Sequence, residues 1–96
     1  LMPAADTLLW FQDTLRIDDR WLLDGTHYER TANHWLANQD ARHDEVMAIL
    51  REAYGDAAKL WFQRWRMFWM ACAELFGYDH GREWMVAHYR FTKEAT

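Results

Sequence analysis

The sequence predicts a small α+β unit, mostly helical, with two strands and too little sheet of its own to stand alone. Three observations carry this. One segment alternates apolar and polar residues with a period of two, as half-buried strands do, and a second near the end is rich in aromatic and branched residues. Longer segments between them return apolar residues at helical spacing. Aromatic residues make up 17% of the 96 residues, seven of them Trp. Each ring buries roughly 150–250 Å², so a chain this short carries more ring surface than it can hide.

The elements follow in order. Pro3 precedes a short helix over residues 4–14, with Leu8, Leu9 and Phe11 as its apolar side. Leu15, Ile17, Trp21 and Leu23 then alternate with Arg16, Asp18, Arg20 and Asp24. That is one strand with one apolar face, on which Asp19 is the misfit; Gly25 ends it. Thr26 and Glu29 have the spacing of a capping box. The helix they open carries Tyr28, Ala32, Trp35 and Leu36 on one side. Residues 38–42 are polar and read as a turn. A second helix begins near Asp44, with Val46, Ile49, Leu50, Ala53 and Tyr54 in phase and Gly55 as its stop. Asp56 caps a long helix to about Phe76. Its broad stripe is Trp61, Trp65, Phe68, Trp69, Cys72, Leu75 and Phe76, with Arg66 on the polar side. Residues 78–81 turn, and residues 84–92 form the closing strand.

Composition excludes several functions. Eleven Lys and Arg against fifteen Asp and Glu give a net charge of -4. A nucleic-acid partner or a polybasic membrane anchor needs the opposite balance. At 51% hydrophobic residues the chain is not a disordered one. Cys72 is the single cysteine, so no disulfide framework and no paired-cysteine metal site can form. No basic signal sequence opens the chain, and no run of 18 uncharged apolar residues could cross a membrane. The expected location is the cytoplasm. Leu1 ahead of Met2 leads us to expect a piece of a longer protein.

Few residues offer chemistry. The five histidines, His27, His34, His43, His80 and His88, fall in no metal-binding spacing, and no metal is expected. Glycines 25, 55, 77 and 81 make no phosphate or dinucleotide motif. Arg64 sits at the edge of the apolar stripe. There it forms a structural pair or reaches an anionic head group. The Trp stripe is core in one reading and the wall of a bulky apolar substrate in the other. Tyr28 lies in the first turn of a helix, where free amides and the helix dipole suit a small anion.

Gly25-Thr-His-Tyr-Glu-Arg-Thr31 followed by Trp35 resembles a stretch of the cyclopropane-fatty-acyl-phospholipid synthases, which are S-adenosylmethionine-dependent methyltransferases. Arg64-Trp-Arg-Met-Phe68, the run ending Glu-Leu-Phe-Gly-Tyr78, and Glu83-Trp-Met-Val-Ala-His88 look like that family's last long helix and final strand. Met2-Pro-Ala-Ala and residues 8–13 fit the segment before. The branch most similar also holds coclaurine N-methyltransferase-like enzymes.

The resemblance implies that residues 1–96 are the C-terminal, substrate-side segment of a class I, Rossmann-like α/β methyltransferase. The two strands would be edge neighbours in its larger sheet. S-adenosylmethionine would be bound by an upstream part, and the segment is not expected to be active alone. Tyr28 matches a tyrosine that holds a bicarbonate in the synthases. Phe76 and Trp84 match aromatic walls around the substrate, and Arg64 is a further substrate-binding candidate. The leading expectation is methyl transfer to a lipid double bond, with peripheral contact at the inner membrane face. Two alternatives stand beside it: a small-amine N-methyltransferase, and a free-standing helical interaction module with an aromatic groove. Unpaired strand edges and surplus apolar surface predict self-association of the segment.

Overall fold

The computed structural model describes residues 3–93; Leu1 and Met2 lie outside the described residues. Strand β1 (Leu15–Leu23) leads into helices α1 (Thr26–Ala41), α2 (His43–Tyr54) and α3 (Ala58–Gly77), and strand β2 (Val86–Lys93) closes the order. The mostly helical α+β reading holds. The predicted first helix is shorter than its apolar side suggests: a single 3-10 turn covers Thr7–Trp10. Gln12 then ties the loop, its amide donating to the Leu9 carbonyl at 3.0 Å and its oxygen accepting from the Ile17 amide at 3.0 Å.

β1 and β2 pair antiparallel, and a bulge interrupts the ladder. Ile17 faces Phe91 and Asp19 faces Arg90, so Asp18 is the extra residue. Its carboxylate accepts from Arg90 Nε at 2.7 Å. An extra residue inverts the side-chain alternation beyond it. Leu15 and Ile17 therefore share a face with Leu22, Ala87, Tyr89 and Phe91, while Trp21 and Leu23 share the other with Val86 and His88. The single apolar face expected from period two is thus two half-faces, and the Asp19 misfit is the trace of the bulge. The N-terminal segment lies against the first face, where the Tyr89 hydroxyl donates to the Ala5 carbonyl. Helix α1 flanks the second.

The strand-to-helix junction differs from the expected capping box. Gly25 precedes α1, and Asp24 takes the capping role. Its carboxylate accepts from the Thr26 amide at 2.9 Å and from the Thr26 hydroxyl. Those bonds to the ionised form hold Asp24 below the usual carboxylate range, the hydroxyl first and the amide second. α1 does not turn at residues 38–42 but runs to Ala41, because Gln39 extends the Tyr28, Ala32, Trp35 face by one more turn.

Helices α1 and α3 run antiparallel along three contacts: Tyr28 with Phe76, Trp35 with Trp69, and Gln39 with Phe62. Gln39 is buried and satisfied twice, donating to the Phe62 carbonyl and accepting from Trp69 Nε1, each at 2.9 Å. Arg66, expected to be solvated, reaches Asp40 with both ends of its guanidinium, at 2.8 and 3.1 Å. The core proper is Met47, Leu50, Ala58 and Phe62, flanked by Val46 and Trp61. The buried line on α3 thus runs through Ala58, Phe62 and Ala73. Much of the predicted stripe, including Phe68 and Leu75, stays exposed.

The molecule is open. Its accessible surface is 7842 Å², where a compact chain of this mass has about 5900 Å². Its radius of gyration is 18.3 Å, against about 12.5 Å for a compact chain of this length.

Candidate functional site

Three backbone segments converge where β1 meets α1. The Gly25 amide donates to the Gly81 carbonyl at 2.8 Å. A Cβ on Gly25 would collide with the carbonyl oxygens of Phe76 and Trp84. Only glycine permits that approach. The close contact fixes the first turn of α1 against the last turn of α3, and so fixes Tyr28 against Phe76. Their rings stack with centroids 4.9 Å apart and planes 28° apart. Beyond Phe76 the chain returns to β2 through Asp79, His80 and Gly81, all three with left-handed backbone.

On the sheet side of Tyr28 a cleft of about 300 Å³ opens between α1 and the face of β1 and β2 that carries Leu23. Leu23, Val86 and Trp35 supply its apolar wall; His27, Thr31, His88 and the Tyr28 phenol supply its polar groups. The Thr31 hydroxyl donates back to the His27 carbonyl at 3.0 Å, which holds that side chain against its own helix. The cleft suits a ring-bearing ligand with one or two polar groups. It holds no cluster of metal ligands, and none of three or more His, Cys, Asp or Glu occurs among the described residues.

The four expected site residues fall in three places. Tyr28 and Phe76 are brought together. Trp84 meets them only through its backbone at Gly25; its side chain lines a different cleft, with Leu22, Ala87 and Tyr89, on the opposite face of the sheet. It also precedes β2 rather than opening it. Arg64 lies twelve residues before Phe76 on α3, about 18 Å along the helix axis. Its guanidinium sits 4.8 Å from the centre of the Trp61 ring, which itself stacks on Tyr54 at 4.4 Å. Sequence reasoning passed over His27, His88 and Gln39. The two histidines become neighbours only through the strand pairing. Gln39 carried a usable signal, four residues after Trp35 and seven after Ala32.

Among the described residues the four glycines leave no shared opening of the kind a glycine-rich loop provides. The space at Gly25, Gly77 and Gly81 is filled by the chain itself, and Gly55, whose Cβ position is open, stands alone between α2 and α3. No helix among the described residues is long and apolar enough to cross a membrane.

Known proteins share this arrangement. No family profile matches the chain. (S)-Coclaurine N-methyltransferase of Papaver somniferum is 40% identical over 96 residues, covering 97% of this chain and 27% of that protein. Pavine N-methyltransferase of Thalictrum flavum subsp. glaucum is 30% identical over 96 residues, covering 98% and 27%. A crystal structure of coclaurine N-methyltransferase bound to N-methylheliamine and SAH superposes with a TM-score of 0.80 at 37% identity, over 96% of this chain and 27% of that one. The chain spans about a quarter of the length of the relatives it matches. By sequence and fold together, the homologues of this chain are N-methyltransferases, and the segment it matches is the C-terminal part of that methyltransferase family's chain.

Proposed function

We propose that this chain is the C-terminal, substrate-side segment of an S-adenosylmethionine-dependent N-methyltransferase for a small aromatic amine. The observation that carries the proposal is Tyr28, which lines a largely apolar cleft and is backed by its stack on Phe76, in a chain whose relatives bear the names of amine methyltransferases. Those names favour an amine over the lipid double bond expected first. They lend no support to bicarbonate or to contact with a membrane.

The role proposed for these residues is to bind and orient. The face of Tyr28 turned away from Phe76 carries the negative part of the ring quadrupole. It accepts an aromatic ring or a protonated amine, and Phe76 backs it from the other side. The Tyr28 hydroxyl, His27 and His88 can hold the amine end by hydrogen bonds. On this reading S-adenosylmethionine is held by a part of the complete protein outside this segment.

The test is an assay of the complete protein with methyl-labelled S-adenosylmethionine and a panel of arylalkyl amines. The expected product is the N-methylated amine, with KM raised about tenfold by Phe76→Ala, the scale of one lost ring contact. Label found only in phospholipid would overturn the reading.

A further inference from the structure

Trp35 belongs to two clefts at once. It closes one end of the 300 Å³ cleft beside Tyr28 and one end of a second, about 500 Å³, whose other walls include Gln39, Leu50, Trp65 and Trp69. Both lie along one flank of α1. From Tyr28 to Gln39 that flank is eleven residues, about 16 Å.

The walls of the second cleft are fixed. Gln39 has committed its amide to the Phe62 carbonyl and the Trp69 indole. Trp65 and Trp69 stack on one another with centroids 5.6 Å apart. Trp35 is held less firmly. It is 46% exposed, touches Trp69 edge-on at 5.1 Å and 63°, and no hydrogen bond to a described residue anchors its indole N–H. A bulky wall that can change rotamer thus stands between two rigid apolar compartments.

We propose that Trp35 sets the length of the amine the protein accepts, by partitioning one continuous groove into an acceptor cleft and a second aromatic compartment. The inference rests on the amine reading above. The ligand it names is an amine with a second aromatic ring, lying lengthwise along α1. Its amine end is at Tyr28 and its far ring against Trp65 and Trp69. With Trp35 in the observed position a single-ring amine fills the first cleft. A two-ring amine requires the Trp35 ring to move.

The probes are benzylamine and its linear two-ring homologue, 4-phenylbenzylamine. Their dissociation constants are measured calorimetrically on the complete protein carrying Trp35, Trp35→Phe or Trp35→Ala. Shrinking the partition should shift preference toward the two-ring amine by about tenfold in Trp35→Ala, the scale of pocket-size discrimination, with Trp35→Phe between. If Trp35→Ala fails to fold, the partial shift in Trp35→Phe carries the test. An unchanged preference in the folded variants overturns the proposal. The two readings fail separately. Methyl transfer with a preference indifferent to residue 35 removes the partition and leaves the enzyme. A shifted preference without methyl transfer to any amine does the reverse.

Discussion

The rings of Tyr28 and Phe76, 48 positions apart in sequence, stack with centroids 4.9 Å apart. Neither depends on the phenol oxygen for that contact, so Tyr28→Phe should leave thermal stability nearly unchanged. If the hydroxyl holds the amine, turnover in the complete enzyme falls roughly ten- to a hundredfold, the scale of one hydrogen bond to a charged group. Wild-type turnover in Tyr28→Phe would make the residue a ring and nothing more.

Gly25→Ala tests the junction beneath that stack. The added methyl would meet two backbone carbonyls, those of Phe76 and Trp84, and backbone cannot rotate aside as a side chain can. We expect a loss of about 3 kcal/mol or more in urea unfolding, at the upper end of overpacking costs. A loss below about 1 kcal/mol, the ordinary value for a point substitution, would mean that α3 and the chain before β2 can separate from α1.

Asp40 and Arg66 hold each other in opposite directions. The hydrogen bond from Arg66 holds the carboxyl below its usual range, and the carboxylate holds the guanidinium above its own. A carboxyl depressed in the folded state stabilises above its unfolded pKa and ceases to as pH falls through the folded value. Acid should therefore weaken the α1–α3 pairing below about pH 4. Asp40→Asn should lose part of that pH dependence in circular dichroism titration. Asp40 is exposed and Arg66 half-buried, so 1 M salt should weaken the pair too. An acid limb identical in the variant would assign the pH dependence to other carboxylates.

Gln39→Leu removes the acceptor for the Trp69 indole N–H. Unfolding in urea should show a cost of roughly 1–3 kcal/mol, the penalty of a partly buried donor left unpaired. Gln39→Glu keeps an acceptor but brings a charge into a buried position, and it should be no better tolerated near neutral pH. Full stability in Gln39→Leu would show that solvent reaches the indole.

His80 sits at φ 59°, in the left-handed region, next to Asp79 at 51°. His80→Gly should raise stability by about 0.5–1 kcal/mol by relieving the Cβ penalty, read as a higher Tm. A lower Tm would show that the imidazole contributes more than its backbone costs.

Most elements were legible because their signals are local. α2 and α3 appear in apolar spacing alone, and Gly55 stops α2 with a left-handed φ of 57°. What escaped was decided between elements. The residue-38–42 segment looks like a turn until Gln39 is seen to serve Phe62 and Trp69 from inside α1. The wheel for α3 finds the apolar arc, but which part is buried depends on where α1 and α2 lie. The line through Ala58 and Phe62 won over the one through Phe68 and Leu75. Tyr28 and Phe76 were each named as candidates on a resemblance, and their contact required the fold. His27 and His88 face one cleft only because β2 returns beside β1.

The extra residue in β1 has a consequence for how the chain tolerates change in length. Before Asp18 the odd-numbered side chains face the N-terminal segment; after it the even-numbered ones do. Deleting Asp18 would remove the bulge and leave every other side chain on the face it already occupies, because Ile17 and Asp19 already stand opposite the consecutive residues Phe91 and Arg90. Losing Asp19 gives the same chain as losing Asp18, since the two are neighbouring aspartates, and the one that remains stands opposite Arg90. Losing any other residue of β1 while the bulge stays would turn over one end of the hairpin: either Leu15 and Ile17 leave the N-terminal segment, or Leu23 leaves the cleft shared with Tyr28. Codon loss here is therefore a parity change unless it falls on one of the two aspartates, and a library of one-residue deletions across Leu15–Leu23 should show tolerance confined to their neighbourhood.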